Sequence, residues 1–95
     1  MHTYIILTKF MPGAFKTPAH FKRASQALTA KLKRECPGVR WKASYATLGQ
    51  YDVLDVVEAE DPADVQRATT LIHTGAHATT ETLMATPWRE YLSKI

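Results

Sequence analysis

Six side chains able to act as acids, bases or metal ligands lie in segments that a compact fold could bring to one end. They are His20, Tyr45, Tyr51, Asp52, His73 and His77. Imidazole and carboxylate groups are the usual general acids and bases of enzymes. His73 and His77 are four residues apart, but we expect Gly75 to end the helix between them, unlike the one-face histidine pair of zinc helices. The sequence therefore predicts no metal site. It also contains no cofactor-binding loop, so we expect no cofactor.

Asp52 has two interpretations. It lies one residue into a strand that must be buried, beside Tyr51. As a functional group it would act as a base or would anchor a polar substrate. As a structural group its carboxylate would accept backbone N–H groups in the turn, or would pair across a dimer. We favour the structural interpretation because aspartates in turns often play this role.

Aromatic residues near Asp55 could line a ligand site. Trp41 and Tyr45 alternate along one strand, which predicts that they share a face and line a cleft for a flat organic ligand, unless they are ordinary core aromatics. Asp55 interrupts a buried strand and needs a partner, either across a dimer or in a pocket. The candidate catalytic residues are Tyr45, Asp52, His73 and His77. The candidate ligand-binding residues are His20, Trp41, Tyr45, Tyr51 and Asp55.

A β-hairpin over residues 45–58, turning at Gly49, is the centre of the predicted fold. Thr17-Pro18 and Asp61-Pro62 each pair an N-cap residue with a proline suited to a first helical turn. The predicted strands cover 3–10, 39–47, 51–58 and 76–85. A short helix over 87–95 is predicted to turn Trp88, Tyr91 and Leu92 inward. The order is that of an α+β, ferredoxin-like βαββαβ domain with a four-stranded antiparallel sheet and a C-terminal helix.

Strands one and three carry apolar residues on both faces, although helices would cover only one face of the sheet. Tyr4 and Ile6 alternate with Ile5 and Leu7 in the first strand. A bare apolar sheet face on a small protein indicates an interface. We therefore expect a homodimer, or a multiple of dimers, joined through the sheet face.

Length and composition point to one small globular domain over residues 1–95. The chain has no apolar run long enough to span a membrane and no signal peptide, so we expect a cytoplasmic protein without a membrane partner. The net charge is +3 at pH 7. Basic residues concentrate between positions 22 and 42 with Trp41 as the only aromatic, which favours a solvated helix face over a nucleic-acid surface. The single cysteine, Cys36, is expected to be a free thiol at a helix end.

The segments 45–52, 56–59 and 80–85 resemble the GYD-domain proteins, small bacterial proteins named for a core that here reads Gly49-Gln50-Tyr51-Asp52. The segments 31–42 and 72–77 depart from that pattern. The family is similar to the dimeric α+β barrel superfamily. That superfamily includes cofactor-free monooxygenases, haem-degrading enzymes, isomerases and ligand-sensing domains. The resemblance implies the fold and the dimer but leaves the activity open.

Two functions remain as hypotheses. The first is a homodimeric protein without established activity that binds a small ligand or acts in assembly. The alternative is a cofactor-independent monooxygenase or isomerase acting on a small aromatic or quinone-like substrate. A roomy cleft with two or more of Tyr45, Asp52, His73 and His77 pointing in would support the enzyme, and a filled core would support the binding protein.

Overall fold

A computed structural model describes all residues from Met1 to Ile95. Its elements are β1 (His2–Phe10), α1 (Pro18–Glu35), β2 (Arg40–Ala46), β3 (Val53–Ala59), α2 (Pro62–Ala76), β4 (Ala78–Ala85) and α3 (Trp88–Leu92). The four strands form one antiparallel sheet in the order β2-β3-β1-β4. This confirms the ferredoxin-like order and the additional C-terminal helix.

Both long helices begin where the capping residues predicted. The Thr17 hydroxyl accepts a hydrogen bond from the backbone N–H of His20, and the Asp61 carboxylate accepts one from Ala63. Each cap satisfies a donor that has no partner inside its helix. Cys36 caps the C-terminal end of α1 as a buried free thiol, as predicted. None of the helices is long and apolar enough to cross a membrane.

The prediction that Gly75 ends α2 was wrong. The helix continues through Ala76, and His77 takes the left-handed conformation with a φ of 48°. A Cβ atom added to Gly75 would lie 3.1 Å from Cδ1 of Leu28 in α1. Because Gly75 has no Cβ atom, α1 and α2 can approach closely at this point of α2. The helix ends at His77 instead.

One face of the sheet, here called the helix face, packs against α1 and α2. Tyr4, Ile6 and Thr8 of β1 point to it, and Ile6 is fully buried. The other buried apolar residues of this core are Leu32, Cys36, Val39, Val57, Ala59, Val65, Ala68, Ile72, Ala76 and Ala78. Alternate residues of β1 and β3 thus supply the sheet half of the core, as their spacing predicts.

The opposite face of the sheet is here called the open face. The helix residues of the buried core all come from α1 and α2, which pack on the helix face. Its apolar side chains are Ile5, Leu7, Ala43, Tyr45, Leu54, Val56 and Leu83. Ile5 pairs with Val56 on one side and Leu83 on the other, and Leu7 pairs with Leu54. These contacts make one apolar patch across all the strands. The prediction that β1 and β3 are apolar on both faces is confirmed.

A β-bulge in β2 reverses which residues face the helices. Trp41 pairs with Val57 on the helix face, but the register shifts between Trp41 and Ala43, and Tyr45 pairs with Leu54 on the open face. The prediction that Trp41 and Tyr45 share a face was therefore wrong. The extra residue in the bulge changes the parity of every position that follows it. β2 is an edge strand of the sheet, since it pairs only with β3.

The short helix α3 does not pack inward. Trp88, Tyr91 and Leu92 are 70%, 48% and 44% exposed, respectively. The rings of Trp88 and Tyr91 contact each other with centroids 5.8 Å apart. The prediction that these side chains enter the core was wrong, because α3 has no buried residue and contributes none to the core.

Candidate functional site

A cavity of about 360 Å³ lies between α1 and the helix face of the sheet. Its volume falls in the range of small-molecule sites. Most of its lining is apolar. The lining residues are Thr8, Phe10, Phe15, Ala24, Ser25, Leu28, Thr29, Leu32, Lys33, Trp41, Ser44, Val53, Asp55, Ile72 and Ala76. The exposed side chains Thr29, Lys33 and Ser44 mark its mouth between α1 and β2.

Asp55 is the buried carboxylate of this cavity. It is 8% exposed, and its Oδ1 accepts a hydrogen bond of 2.5 Å from the Ser44 hydroxyl. Ser44 reaches it because the bulge turns Ser44 to the helix face, opposite Asp55. Burial raises the pKa of Asp55 above its ordinary value, and the bond from Ser44 offsets part of that rise. None of the chain's ion pairs involves Asp55.

Aromatic side chains form much of the cavity wall. The Phe10 and Phe15 rings meet edge to face with centroids 5.5 Å apart. Trp41 lies on the wall nearest β2, and its indole Nε1 is buried without a hydrogen-bond partner. A buried donor without a partner costs free energy unless something accepts its hydrogen bond. The cavity thus combines a buried carboxylate with aromatic walls.

Asp52 lies outside the cavity and makes backbone hydrogen bonds. Its Oδ2 accepts a hydrogen bond of 2.9 Å from the N–H of Phe10, and its own N–H donates to the carbonyl of Thr8 at 2.8 Å. These bonds tie the hairpin turn to the last residues of β1. The carboxylate accepts a backbone N–H, as in the structural interpretation, but the donor belongs to β1 and not to the turn.

Tyr51 contacts a residue that the sequence did not single out. Its hydroxyl donates a hydrogen bond to the Glu81 carboxylate on β4. That bond, followed by desolvation and the negative charge of Glu81, raises the pKa of Tyr51. Glu81 pairs with Leu7 across the strands, so Tyr51 reaches to the edge of the open face.

The histidines do not form a cluster. His73 Nε2 lies 2.8 Å from the Thr80 hydroxyl, the His20 ring contacts the edge of Phe15, and His77 is exposed. No three His, Cys, Asp or Glu side chains are placed to hold one metal ion. The histidines that the topology brings to one end therefore have separate local partners.

Of the residues singled out from the sequence, only Trp41 and Asp55 line the cavity. Sequence reasoning missed Ser44, whose position depends on the bulge, and Thr8, Phe10 and Phe15. The alternation that places Tyr4 and Ile6 in the core also places Thr8 and Phe10 on that face, so those two could have been found. Phe15 is in a loop and gave no periodic signal.

Comparison with solved structures supports the fold. The leucine response regulatory protein LrpA of Mycobacterium tuberculosis superposes with a TM-score of 0.60 at 12% identity, covering 90% of this chain and 51% of the regulator. The chain thus corresponds to about half of that protein. An antibiotic biosynthesis monooxygenase-type protein of Caulobacter crescentus CB15 gives a TM-score of 0.53 at 17% identity, covering 90% of this chain and 91% of the other. At such identities the likeness concerns the fold alone.

Sequence comparison goes further. A protein of Thermus thermophilus named "Glutamine synthetase and cystathionine beta-lyase binding protein" is 34% identical over 95 residues, covering 100% of this chain and 99% of the other. The family model of the GYD domain matches residues 4–95. The resemblance inferred from the hairpin around Gly49 is therefore confirmed, and the chain belongs to the GYD domain family.

Proposed function

We propose that this protein is a homodimeric binding protein without catalytic activity, which attaches to a metabolic enzyme. The observation that carries the proposal is the full-length identity of 34% with a protein named for binding two enzymes. The match spans both chains from end to end, so it includes every segment that could contribute to a binding surface. A shared mode of binding is therefore a reasonable hypothesis.

The open face supports the dimer. Ile5, Leu7, Leu54 and Val56 lie side by side on the central strands and remain partly exposed in one chain. Leu83 on β4 and Tyr45 on β2 extend this patch to both edges and are 45% and 59% exposed. Two such faces packed together would remove the patch from water, and a twofold axis lets the same residues meet on both chains.

The C-terminal helix α3 supports a second contact, with the enzyme. Trp88 and Tyr91 are of the residue types that contribute most to protein interfaces. Both are exposed and already contact each other, so little side-chain freedom would be lost on binding. An exposed aromatic pair of this kind fits a site on a folded protein partner.

The alternative, a cofactor-independent monooxygenase or isomerase, has less support. Tyr45, Asp52, His73 and His77 were its candidate catalytic residues, and none of them lines the cavity. Asp52 and His73 are engaged by Phe10 and Thr80. Its remaining support is the likeness of fold to a monooxygenase-type protein.

Native mass spectrometry tests the dimer. We expect the wild-type protein at micromolar concentration to have twice the mass of the chain, or a multiple of that mass. Leu54→Lys places a charge in the open face and should yield monomers. Leu48→Lys is the matched control, because Leu48 lies fully exposed in the hairpin turn and its replacement should leave the dimer intact. The proposed dimer is refuted if the wild-type protein is monomeric. It is also refuted if Leu54→Lys is as dimeric as the control.

Binding to enzymes is tested with purified glutamine synthetase and cystathionine β-lyase from the organism that encodes this chain. Each enzyme is passed over the immobilised dimer, with serum albumin as a control for non-specific adsorption. We expect saturable binding of at least one enzyme that weakens tenfold or more in Trp88→Ala. The assembly proposal fails if neither enzyme binds to protein that is demonstrably folded and dimeric.

A further inference from the structure

We propose that the cavity between α1 and β2 is a binding site for a small aromatic amine, with the ammonium group against Asp55 and the ring between Phe10, Phe15 and Trp41. The site lies within one chain. It therefore requires neither the dimer nor an enzyme partner, and goes beyond the function proposed above.

The charge of the cavity selects a cation. Asp55 is buried, and no Lys, Arg or His of the chain forms an ion pair with it. Lys33, the only other charged residue of the lining, is exposed at the mouth. The Ser44 hydroxyl donates to Oδ1, and Oδ2 accepts no hydrogen bond within the chain. A carboxylate in mainly apolar surroundings is strongly stabilised by a cation that donates a hydrogen bond to it.

The walls of the cavity select an aromatic molecule. Phe10, Phe15 and Trp41 present ring surface to the interior, alongside aliphatic groups such as Leu28 and Ile72. Aromatic rings pack well against one another, and an ammonium group is also attracted to the face of an indole.

The dimensions of the site fit a molecule with one or two rings. A volume of about 360 Å³ exceeds what a few water molecules need and lies at the small end of the range of ligand pockets. The mouth between Thr29 and Ser44 lies beside β2, an edge strand, where no further strand closes the cavity. Such a ligand can therefore enter without unfolding the sheet.

Binding is tested with three indoles that differ only in the polar end of the side chain: tryptamine, indole-3-ethanol and indole-3-propionate. The readout is the indole N–H resonance of Trp41 in a ¹⁵N–¹H spectrum of the full chain, recorded in Trp88→Phe so that only one indole remains. We expect tryptamine to shift this resonance with saturation, the alcohol to bind at least tenfold more weakly, and the carboxylate not to bind.

Variants locate the interaction. Asp55→Asn keeps an acceptor for Ser44 but removes the charge, and should lower the affinity for tryptamine at least tenfold while leaving that for indole-3-ethanol unchanged. Asp64→Asn in α2 is the matched control, because Asp64 is not among the residues that line the cavity, and it should bind tryptamine like the wild type. Ala24→Phe fills the cavity from α1 and should abolish binding of both tryptamine and indole-3-ethanol. Backbone amide spectra establish that each variant is folded.

Several outcomes would overturn the proposal. One is equal affinity of the wild-type chain for the amine and the alcohol, since the charge would then play no part. Another is the absence of any tryptamine-induced shift of the Trp41 resonance. Undiminished tryptamine binding in folded Ala24→Phe would place the ligand elsewhere. The comparison of the three indoles uses no variant of a cavity residue. The proposal can therefore be refuted even if Asp55→Asn does not fold.

Discussion

The two faces of the sheet are built from neighbouring residues of the same strands and yet differ in burial. Ile6 and Val57, on the helix face, are fully buried, whereas Ile5 and Val56, one position away, remain partly exposed. All four are β-branched residues suited to a strand. The second layer packed on the sheet, and not the hydrophobicity of the strand, therefore decides burial. The helices cover one face, and we propose that a second copy of the chain covers the other.

Replacing adjacent isoleucines tests this comparison most severely. Ile6→Ala should lower the free energy of unfolding by about 3 kcal/mol, because it leaves a cavity in a closed core. At high protein concentration, Ile5→Ala should lower the free energy of unfolding less than Ile6→Ala does. It should also weaken the dimer. Thermal unfolding measured over a hundredfold range of concentration separates the two effects. If Tm does not depend on concentration in any of the proteins, the open face has no partner.

Asp52→Ala tests the connection between the hairpin and β1, which holds both faces in register. The substitution removes the acceptor for the Phe10 N–H and should lower the free energy of unfolding by about 1 kcal/mol. Denaturant titration at pH 7 measures the loss. Asp52→Asn, which keeps an acceptor oxygen, should lose less than Asp52→Ala. Wild-type stability of Asp52→Ala would show that the bond contributes nothing to the fold.

Asp55→Asn tests the polar part of the helix face through the pH dependence of the protein's stability. Because burial raises the pKa of Asp55 above 3.8, the folded chain binds this proton more tightly than the unfolded chain does. The contribution of Asp55 to stability is therefore greatest below pH 3.8 and is lost as the pH rises through the raised value. At pH 7 we expect Asp55→Asn to have a Tm a few degrees above that of the wild type. Calorimetry between pH 3.5 and 7 should show the difference grow with pH, and a constant or opposite difference would contradict the assignment.

Trp88→Ala should have the smallest effect on stability. Because Trp88 is 70% exposed, its loss should change the free energy of unfolding by no more than about 0.5 kcal/mol, while the affinity for an enzyme partner falls. Denaturant titration checks the first expectation. A loss of several kcal/mol would mean that α3 packs against the dimer instead of remaining free for a partner.

The order of elements could be predicted because its signals are local. Thr17 and Asp61 each satisfy a backbone donor within a few residues, and the alternation in β1 and β3 follows from the geometry of an extended chain. The candidate site could be predicted only in part. Asp55 was recognised because a carboxylate in a buried strand needs a partner, but its partner Ser44 was not.

The features that could not be predicted from the sequence depend on contacts between distant segments. The helix starts, the ferredoxin-like order and the apolar residues on both faces of the sheet follow from the sequence, since each depends on neighbouring residues and a fixed period. The packing of separate elements set the other features: the bulge turns Ser44 toward Asp55 and Tyr45 to the open face, Gly75 lies inside α2 close to Leu28, and α3 stays outside the core. The physical reason is that a bulge, a close helix contact and a cavity depend on how separate elements pack, and packing has no period along the chain.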